Sequence, residues 1–223
     1  MADYKTPEWH PAAEEYCETI FELAEDDVDV IQARVAERLE VSRPAVSEMI
    51  HRLASEGLVT LKGRSIELSS EGLNLAEKVV RRHRLAEVFL TQVLGLSWAD
   101  AHAEAGKWEH VISPKVERAM IQMLDNPTTC PHGNPIPGSQ YEAPPTKSLA
   151  TVEVGERFVI TRITEELEFA DGLLEYLENA SVVPGATGSI TATSPDGTMT
   201  LAIAGNHVGI GSFASQRILV SAP

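Results

Sequence analysis

The 223-residue sequence predicts a mainly α-helical chain with a small β domain at its C-terminal end. Three observations carry that prediction. Apolar residues recur at helical spacing from Tyr16 to Leu124. A stretch rich in proline and glycine, DNPTTCPHGNPIPGSQYEAPPTK, then rules out helix or central strand. From Ser148 onward the apolar runs are short and bounded by turn residues, which is the pattern of strands.

Taken in order, PAAEEYCETIFELAE reads as a helix over residues 11–25. Pro11 suits its first turn. Tyr16, Ile20, Phe21 and Leu23 with Ala24 form its apolar stripe, and Glu14, Glu15, Glu18 and Glu22 lie largely on the other faces, either as a solvated acidic face or with a further role. A second short helix over 31–40 turns Ile31, Val35 and Leu39 inward. Ser42 is a good N-cap for a third helix, with Pro44 in its first turn, Val46, Ile50 and Leu53 at helical spacing, and Gly57 at its end. Two short helices joined by a turn form a helix-turn-helix pattern. LVTLKGRSIELSS follows as a two-stranded wing about Lys62-Gly63-Arg64, whose basic tip can reach a phosphate backbone.

A long helix opens at Ser70 and is apolar on more than one side, so it is expected to pack on two partners. Two further helices begin after Ser97 and Ser113, both N-cap residues. The C-terminal part reads as five short strands, with turns at Pro195-Asp196-Gly197 and Gly205-Asn206 and one short helix, ADGLLEYLEN, between them. Five short strands in so few residues predict a small antiparallel barrel. The domain division read from these patterns is 1–72, 73–140, a linker at 141–147, and 148–223.

The net charge of −15 is unevenly spread. Residues 1–30 carry one Lys or Arg against ten Asp and Glu, whereas residues 31–66 carry six against four. The helix-turn-helix and wing thus lie in a locally basic window, where contact with double-stranded DNA would have to occur. No apolar run is long enough to span a membrane. The N-terminal MADYKTPEWHPAAEEYCE lacks the basic start and apolar core of a signal peptide. Two distant cysteines, Cys17 and Cys130, make no disulfide framework, so a cytoplasmic protein with reduced thiols is expected.

Four of the seven histidines lie between Arg81 and Gly138: His83, His102, His110 and His132. Glu87 follows His83 by one helical turn, Glu109 precedes His110, and Cys130 stands two residues before His132. Each pair alone is ordinary for a solvated helix or loop. Together, imidazole, carboxylate and thiol in one span are the ligand set of a transition-metal site.

These residues carry a resemblance. ARVAERLEVSRPAVSEMIHRLASEGLV, RRHRLAEVFL, KWEH, and CPHGNPIPG followed by a β domain resemble the diphtheria-toxin-repressor family of iron- and manganese-dependent transcriptional repressors. The match is to its three-domain, manganese-sensing form. The resemblance implies a winged helix-turn-helix, a helical metal-binding and dimerisation domain, and a C-terminal SH3-like barrel. It implies a homodimer that binds palindromic operator DNA when loaded with Mn(II) or Fe(II), controls metal homeostasis, and is not an enzyme. It also implies the metal ligands. His83, Glu87, Cys130, His132 and a barrel carboxylate, best matched by Glu165 with Glu168 or Asp171 as alternatives, form the site ranked first. Glu15, Glu109 and His110 form another, with Glu18 as a further carboxylate, and His102 stands where some members place a ligand. Gly106 departs from the family pattern, which has Cys or Glu there, so the second site lacks one side-chain ligand.

On the DNA side, Ser42, Arg43, Pro44, Ala45 and Ser47 open the recognition helix, where base edges and nearby phosphates are reached. The resemblance implies a thymine-methyl contact for Pro44. Glu48 replaces a common Gln and can accept from cytosine. Arg52 and Arg64 are expected on phosphate. Manganese is the expected co-repressor, because Glu15 and Gly106 replace sulfur donors, with iron next. The competing readings are an iron-dependent regulator of the same family, a repressor that has lost metal sensing, and a metalloenzyme; the last leaves the winged motif unexplained.

Overall fold

In the computed structural model, residues 11–223 are described. The first ten residues, which belong to the 1–72 segment and to the stretch read above as lacking a signal peptide, lie outside the described residues. Internal contacts divide the chain into two units, residues 1–81 and 82–223.

The first unit holds α1 (Pro11–Glu25), α2 (Gln32–Arg38), α3 (Arg43–Ser55), the strands β1 (Val59–Lys62) and β2 (Ser65–Leu68), and the start of α4 (Ser70–Gln92). Helix α3 begins as its sequence dictates. The Ser42 hydroxyl accepts from the Ala45 N–H, and Pro44 sits where a missing N–H costs nothing. Its inner face is Val46, Ile50 and Leu53, all fully buried beside Ile20, Val35, Leu58 and Ile66. Burial of side chains this size stabilises by about 1.5–3 kcal/mol each. Strands β1 and β2 pair antiparallel from Val59↔Leu68 to Lys62↔Ser65, which leaves Gly63 and Arg64 as the hairpin tip. Gly72 is required here, since a Cβ would collide with the Leu58 carbonyl.

One alternative left open on α1 is decided. Its acidic face is not solvated: Glu14, Glu18 and Glu22 are buried, and only Glu15 of the four is exposed. Part of the reason lies in α2, whose Arg38 comes within 3.5 Å of Glu22 in a buried ion pair.

The second unit takes the rest of α4, then α5 (Trp98–Trp108) and α6 (Pro114–Met123). Ser97 and Ser113 cap the last two by accepting from the Asp100 and Val116 N–H groups. Leu85, Val88, Leu90, Ala101, Ala105, Ile112, Met120 and Ile136 form the core of this helical part. From Asp125 to Thr146 the proline-rich segment has no helix or strand, and its one β-bridge joins Thr129 to Pro135.

The β domain contains β3 (Lys147–Ser148), β4 (Arg157–Ile163), α7 (Glu165–Glu168), α8 (Leu173–Asn179), β5 (Thr187–Thr193), β6 (Met199–Ile203), β7 (Asn206–Ile210), α9 (Ser212–Ser215) and β8 (Ile218–Ser221). The six strands run antiparallel in the order β3-β8-β4-β5-β6-β7. Two details differ from the sequence reading. The β6–β7 turn is Ala204-Gly205, one residue earlier than expected, because both residues take positive φ (49° and 80°), as a two-residue hairpin turn requires. Strand β3, α7 and α9 were not expected; each has four residues or fewer, too short to show a period.

Candidate metal centre

The centre is assembled within the second unit from four chain segments. Helix α4 presents His83 and Glu87 one turn apart on one face, with Nε2 of the histidine 3.3 Å from Glu87 Oε1. Helix α5 brings His102, whose Nδ1 is 3.1 Å from the same Glu87 oxygen and 3.2 Å from His83 Nε2. The loop after α6 supplies Cys130 and His132, and α7 supplies Glu168.

Local geometry explains how the loop presents two donor side chains. The Cys130 N–H donates to the Asn134 carbonyl at 2.9 Å, and the Gly133 N–H donates to the Cys130 carbonyl at 3.0 Å. Gly133 has φ +87°, and any Cβ there would collide with the Thr161 carbonyl on β4. The His132 carbonyl accepts from the Ile163 N–H at 2.8 Å, which ties the loop to the same strand. Trp98 packs edge-on against the His132 ring, with centroids 4.7 Å apart.

Two donor triads result. His83, Glu87 and His102 form one, and Glu87, Cys130 and His132 the other, with the donor atoms in each triad within 4.8 Å of one another. Glu168 reaches both: its Oε2 is 2.9 Å from His132 Nδ1 and 3.1 Å from His102 Nδ1. Asn134 holds Glu168 in place by donating to its Oε1 at 2.7 Å, and itself accepts from Arg162 at 2.5 Å.

Of the three carboxylates the resemblance left open, Glu168 stands beside the donors and Glu165, the best match, does not. Glu165 lies instead against the fully buried Arg84, at 2.7 Å, and Arg84 also donates to the Pro135 carbonyl. A guanidinium taken wholly out of water needs a carboxylate beside it, so Glu165 is already engaged. Asp171 is exposed. Sequence reasoning passed over Arg84, Asn134 and Trp98. None has a spacing signal, because their partners lie 81, 34 and 34 positions away in the chain.

The remaining predicted ligands fall as follows. Glu109 ends α5, with Oε2 2.5 Å from His83 Nδ1 and Oε1 3.1 Å from His110 Nε2. His83 therefore faces Glu87 and His102 with one ring nitrogen and Glu109 with the other. Gly106 is exposed on α5, with open space where a side chain would be. Glu15 and Glu18 sit on α1 in the first unit, the former exposed and the latter buried.

Electrostatics show what the cluster needs. Burial opposes a charged His102, but contacts with Glu168 and Glu87 outweigh it and push the imidazole up to about 10. His83 and His132 move upward against the same penalty, through the charge of Glu87 on the first and of Glu168 and Glu87 on the second. Burial would raise Glu87, yet the His132 and His83 charges hold it well below the usual carboxylate range. Burial and the surrounding carboxylates push the Cys130 thiol up. Buried carboxylates here thus demand positive charge, as protons or as a cation. Glu87 Oε2, Glu168 Oε2 and both ring nitrogens of His132 are buried without a hydrogen bond of good geometry. Native proteins seldom leave such atoms unsatisfied. Imidazole, carboxylate and thiolate donors converging on them fit a divalent transition metal.

On the DNA side, Ser42, Arg43, Pro44, Ala45 and Glu48 are exposed at the start of α3, and Ser47 is half-buried. Arg64 is exposed at the hairpin tip. Arg52 is exposed and paired with Glu56 at 2.8 Å across one helical turn. No helix among the described residues is long and apolar enough to cross a membrane.

Comparison with known proteins agrees with this architecture. Residues 9–65 match the profile of the iron dependent repressor N-terminal DNA binding domain. Residues 69–138 match its metal binding and dimerisation domain, and residues 147–222 the FeoA domain. The chain is 40% identical over 206 residues to the iron-dependent repressor IdeR of Mycobacterium leprae, covering 87% of this chain and 89% of that protein. It is 36% identical over 205 residues to the diphtheria toxin repressor of Corynebacterium diphtheriae, covering 87% and 90%. A solved manganese-dependent transcriptional repressor in complex with manganese superposes with a TM-score of 0.84 at 31% identity, over 95% of this chain and all of that one. The repressor ScaR with bound Zn2+ superposes at 0.77 and 28% identity, over 95% and 99%. The chain therefore belongs to the diphtheria-toxin-repressor family of metal-dependent transcriptional repressors, which are not enzymes, in its three-domain form.

Proposed function

We propose that this chain is a cytoplasmic repressor that binds palindromic operator DNA as a homodimer when loaded with Mn(II), Fe(II) ranking next, and so controls metal homeostasis. We take its segments as 1–72 for DNA binding, 73–140 for metal binding and dimerisation, 141–147 as linker and 148–223 as the SH3-like domain. The observation that carries the reading is the buried cluster of His83, Glu87, His102, Cys130, His132 and Glu168, with its unsatisfied donor atoms. When bound, the metal supplies positive charge and directed bonds that protons cannot. His83, Glu87 and His102 come from the helical part, Cys130 and His132 from the loop, and Glu168 from the β domain. Ligation by all of them selects one arrangement of these segments, and a ligand that favours one conformation shifts the population toward it.

Glu109 and His110 are proposed as a second, weaker site, with Glu15 and Glu18 as carboxylates available from α1 and no side chain from Gly106. That oxygen-rich set, without sulfur, is why Mn(II) ranks first. Ser42, Arg43, Pro44, Ala45, Ser47 and Glu48 would enter the major groove, with Arg52 and Arg64 on phosphates. Exposed Val93, Leu94, Val111, Val116 and Met123 around the helical segments support a dimer surface.

The test is operator binding measured with Mn(II), Fe(II), Zn(II) or chelator at matched free-metal levels. Tight binding only with metal, strongest with Mn(II), is expected. Equal binding in chelator would show a repressor that has lost sensing. A response to Fe(II) but not Mn(II) would remove the manganese assignment and leave the repressor.

A further inference from the structure

We propose that the outer face of the β domain binds a small organic phosphate, in a trough formed by β4, β5, β6 and β7. None of the residues lining the trough belongs to the donor cluster, and the proposal does not depend on the metal-binding reading.

Strand register builds the trough. Arg157 stands opposite Ser189, Ser189 opposite Ala202, and Ala202 opposite His207, so one row crosses four neighbouring strands. Alternation puts this row on the face away from the core, because the adjacent Phe158, Ile190, Leu201 and Val208 are buried. The two middle residues of the row are small and the two outer ones long. Strands about 4.8 Å apart set the Arg157 and His207 backbones roughly 14 Å from each other. A low floor between two long side chains makes a concave surface. The depression has a volume of about 360 Å³, and Thr187 and Asn206 also line it. Sites for small organic molecules run from about 300 to 1,000 Å³, so there is room for more than an inorganic ion.

Charge selects the ligand. The chain has 33 Asp and Glu against 18 Lys and Arg, yet no carboxylate lines the depression. Residues 148–223 include three arginines. Arg162 is engaged by Asn134 and Arg217 by Glu166. The side chain of Arg157 has no hydrogen-bond or ion-pair partner among the described residues. Its neighbour Glu156 does not serve, being taken by Lys147 at 3.2 Å and by the Glu153 N–H at 2.8 Å. The side chains of Thr187, Ser189, Asn206 and His207 make no hydrogen bond among the described residues either. A guanidinium, two hydroxyls, an amide and an imidazole are thus available to donate. The planar fork of arginine matches two phosphate oxygens, and the other donors suit the third oxygen and a polar body. A cation finds no carboxylate here, and an apolar molecule finds little but polar and small side chains.

The test is a titration of the isotopically labelled full chain with ribose 5-phosphate, ribose or inorganic phosphate, followed by the backbone amide NMR signals. Chelator is present throughout, so that no metal ion takes up phosphate. Ribose 5-phosphate is expected to shift the signals of residues 187–189 and 202–207 saturably, inorganic phosphate to do so more weakly, and ribose not at all. Arg157→Ala should weaken ribose 5-phosphate binding at least about tenfold, the loss of one charge-assisted hydrogen bond. Arg157 is exposed and holds no other side chain, so signals outside the trough should stay where they are in the variant. No saturable shift in the trough, an equal shift with ribose, equal affinity for inorganic phosphate, or unchanged affinity in Arg157→Ala would each overturn the proposal. Displacement of ribose 5-phosphate by a DNA duplex of arbitrary sequence would assign the trough to nucleic acid and overturn the small-molecule ligand.

Discussion

Two glutamates of one short helix have different tasks. Glu165 neutralises the fully buried Arg84, and Glu168 faces His102 and His132. Glu165→Ala should destabilise the chain by about 3–5 kcal/mol, because a buried guanidinium loses its carboxylate. Glu168→Ala should instead weaken metal binding by at least about tenfold, since even an outer-shell partner is worth that much. Urea unfolding in chelator and metal titration separate the two; equal loss of affinity in both variants, with stability unchanged, would reverse the assignment. His83 and Glu87 were legible in sequence because one helical turn separates them, and Cys130 and His132 because one tripeptide holds them. The choice among Glu165, Glu168 and Asp171 was not legible. It turns on Arg84, which takes Glu165, and on Asn134, which holds Glu168, both far away in the chain, while Asp171 is exposed.

At the scale of elements, the sequence was most informative where periodicity and caps coincide. Ser42, Ser97 and Ser113 each begin a helix in the way their side chains dictate. The wing follows from two alternating runs about Gly63, and its register puts Arg64 at the tip. Arg64→Ala should weaken binding to every DNA sequence alike and lower the salt slope of log K by about 1, the signature of one lost phosphate contact. A changed base preference with an unaltered salt slope would remove Arg64 from the backbone. The acidic face of α1 stayed undecided in the sequence for a physical reason. A helix wheel shows which side is polar, but not that Arg38 of another helix enters that side.

For the whole molecule, order and type of domains were legible because each has its own periodicity, from helical repeats through a proline-rich stretch to short strands. The exposed apolar side chains of the second unit lead us to expect a dimer at micromolar concentration, with or without metal. Sedimentation showing only monomer would contradict it. One consequence of the donor cluster concerns how long the protein lasts. Its donor residues run from positions 83 to 168, segments that are separate in the unfolded chain, so a metal held by them favours the folded form over the unfolded one. Metal at about a hundred times its Kd then adds about 2.7 kcal/mol to stability. Chain opening that exposes the backbone to proteases becomes correspondingly rarer. Metal starvation should thus shorten the lifetime of the protein while it releases the operator. Digestion by a nonspecific protease is expected to be many times faster in chelator than in Mn(II), and equal half-lives would mean that the cluster contributes nothing to folding.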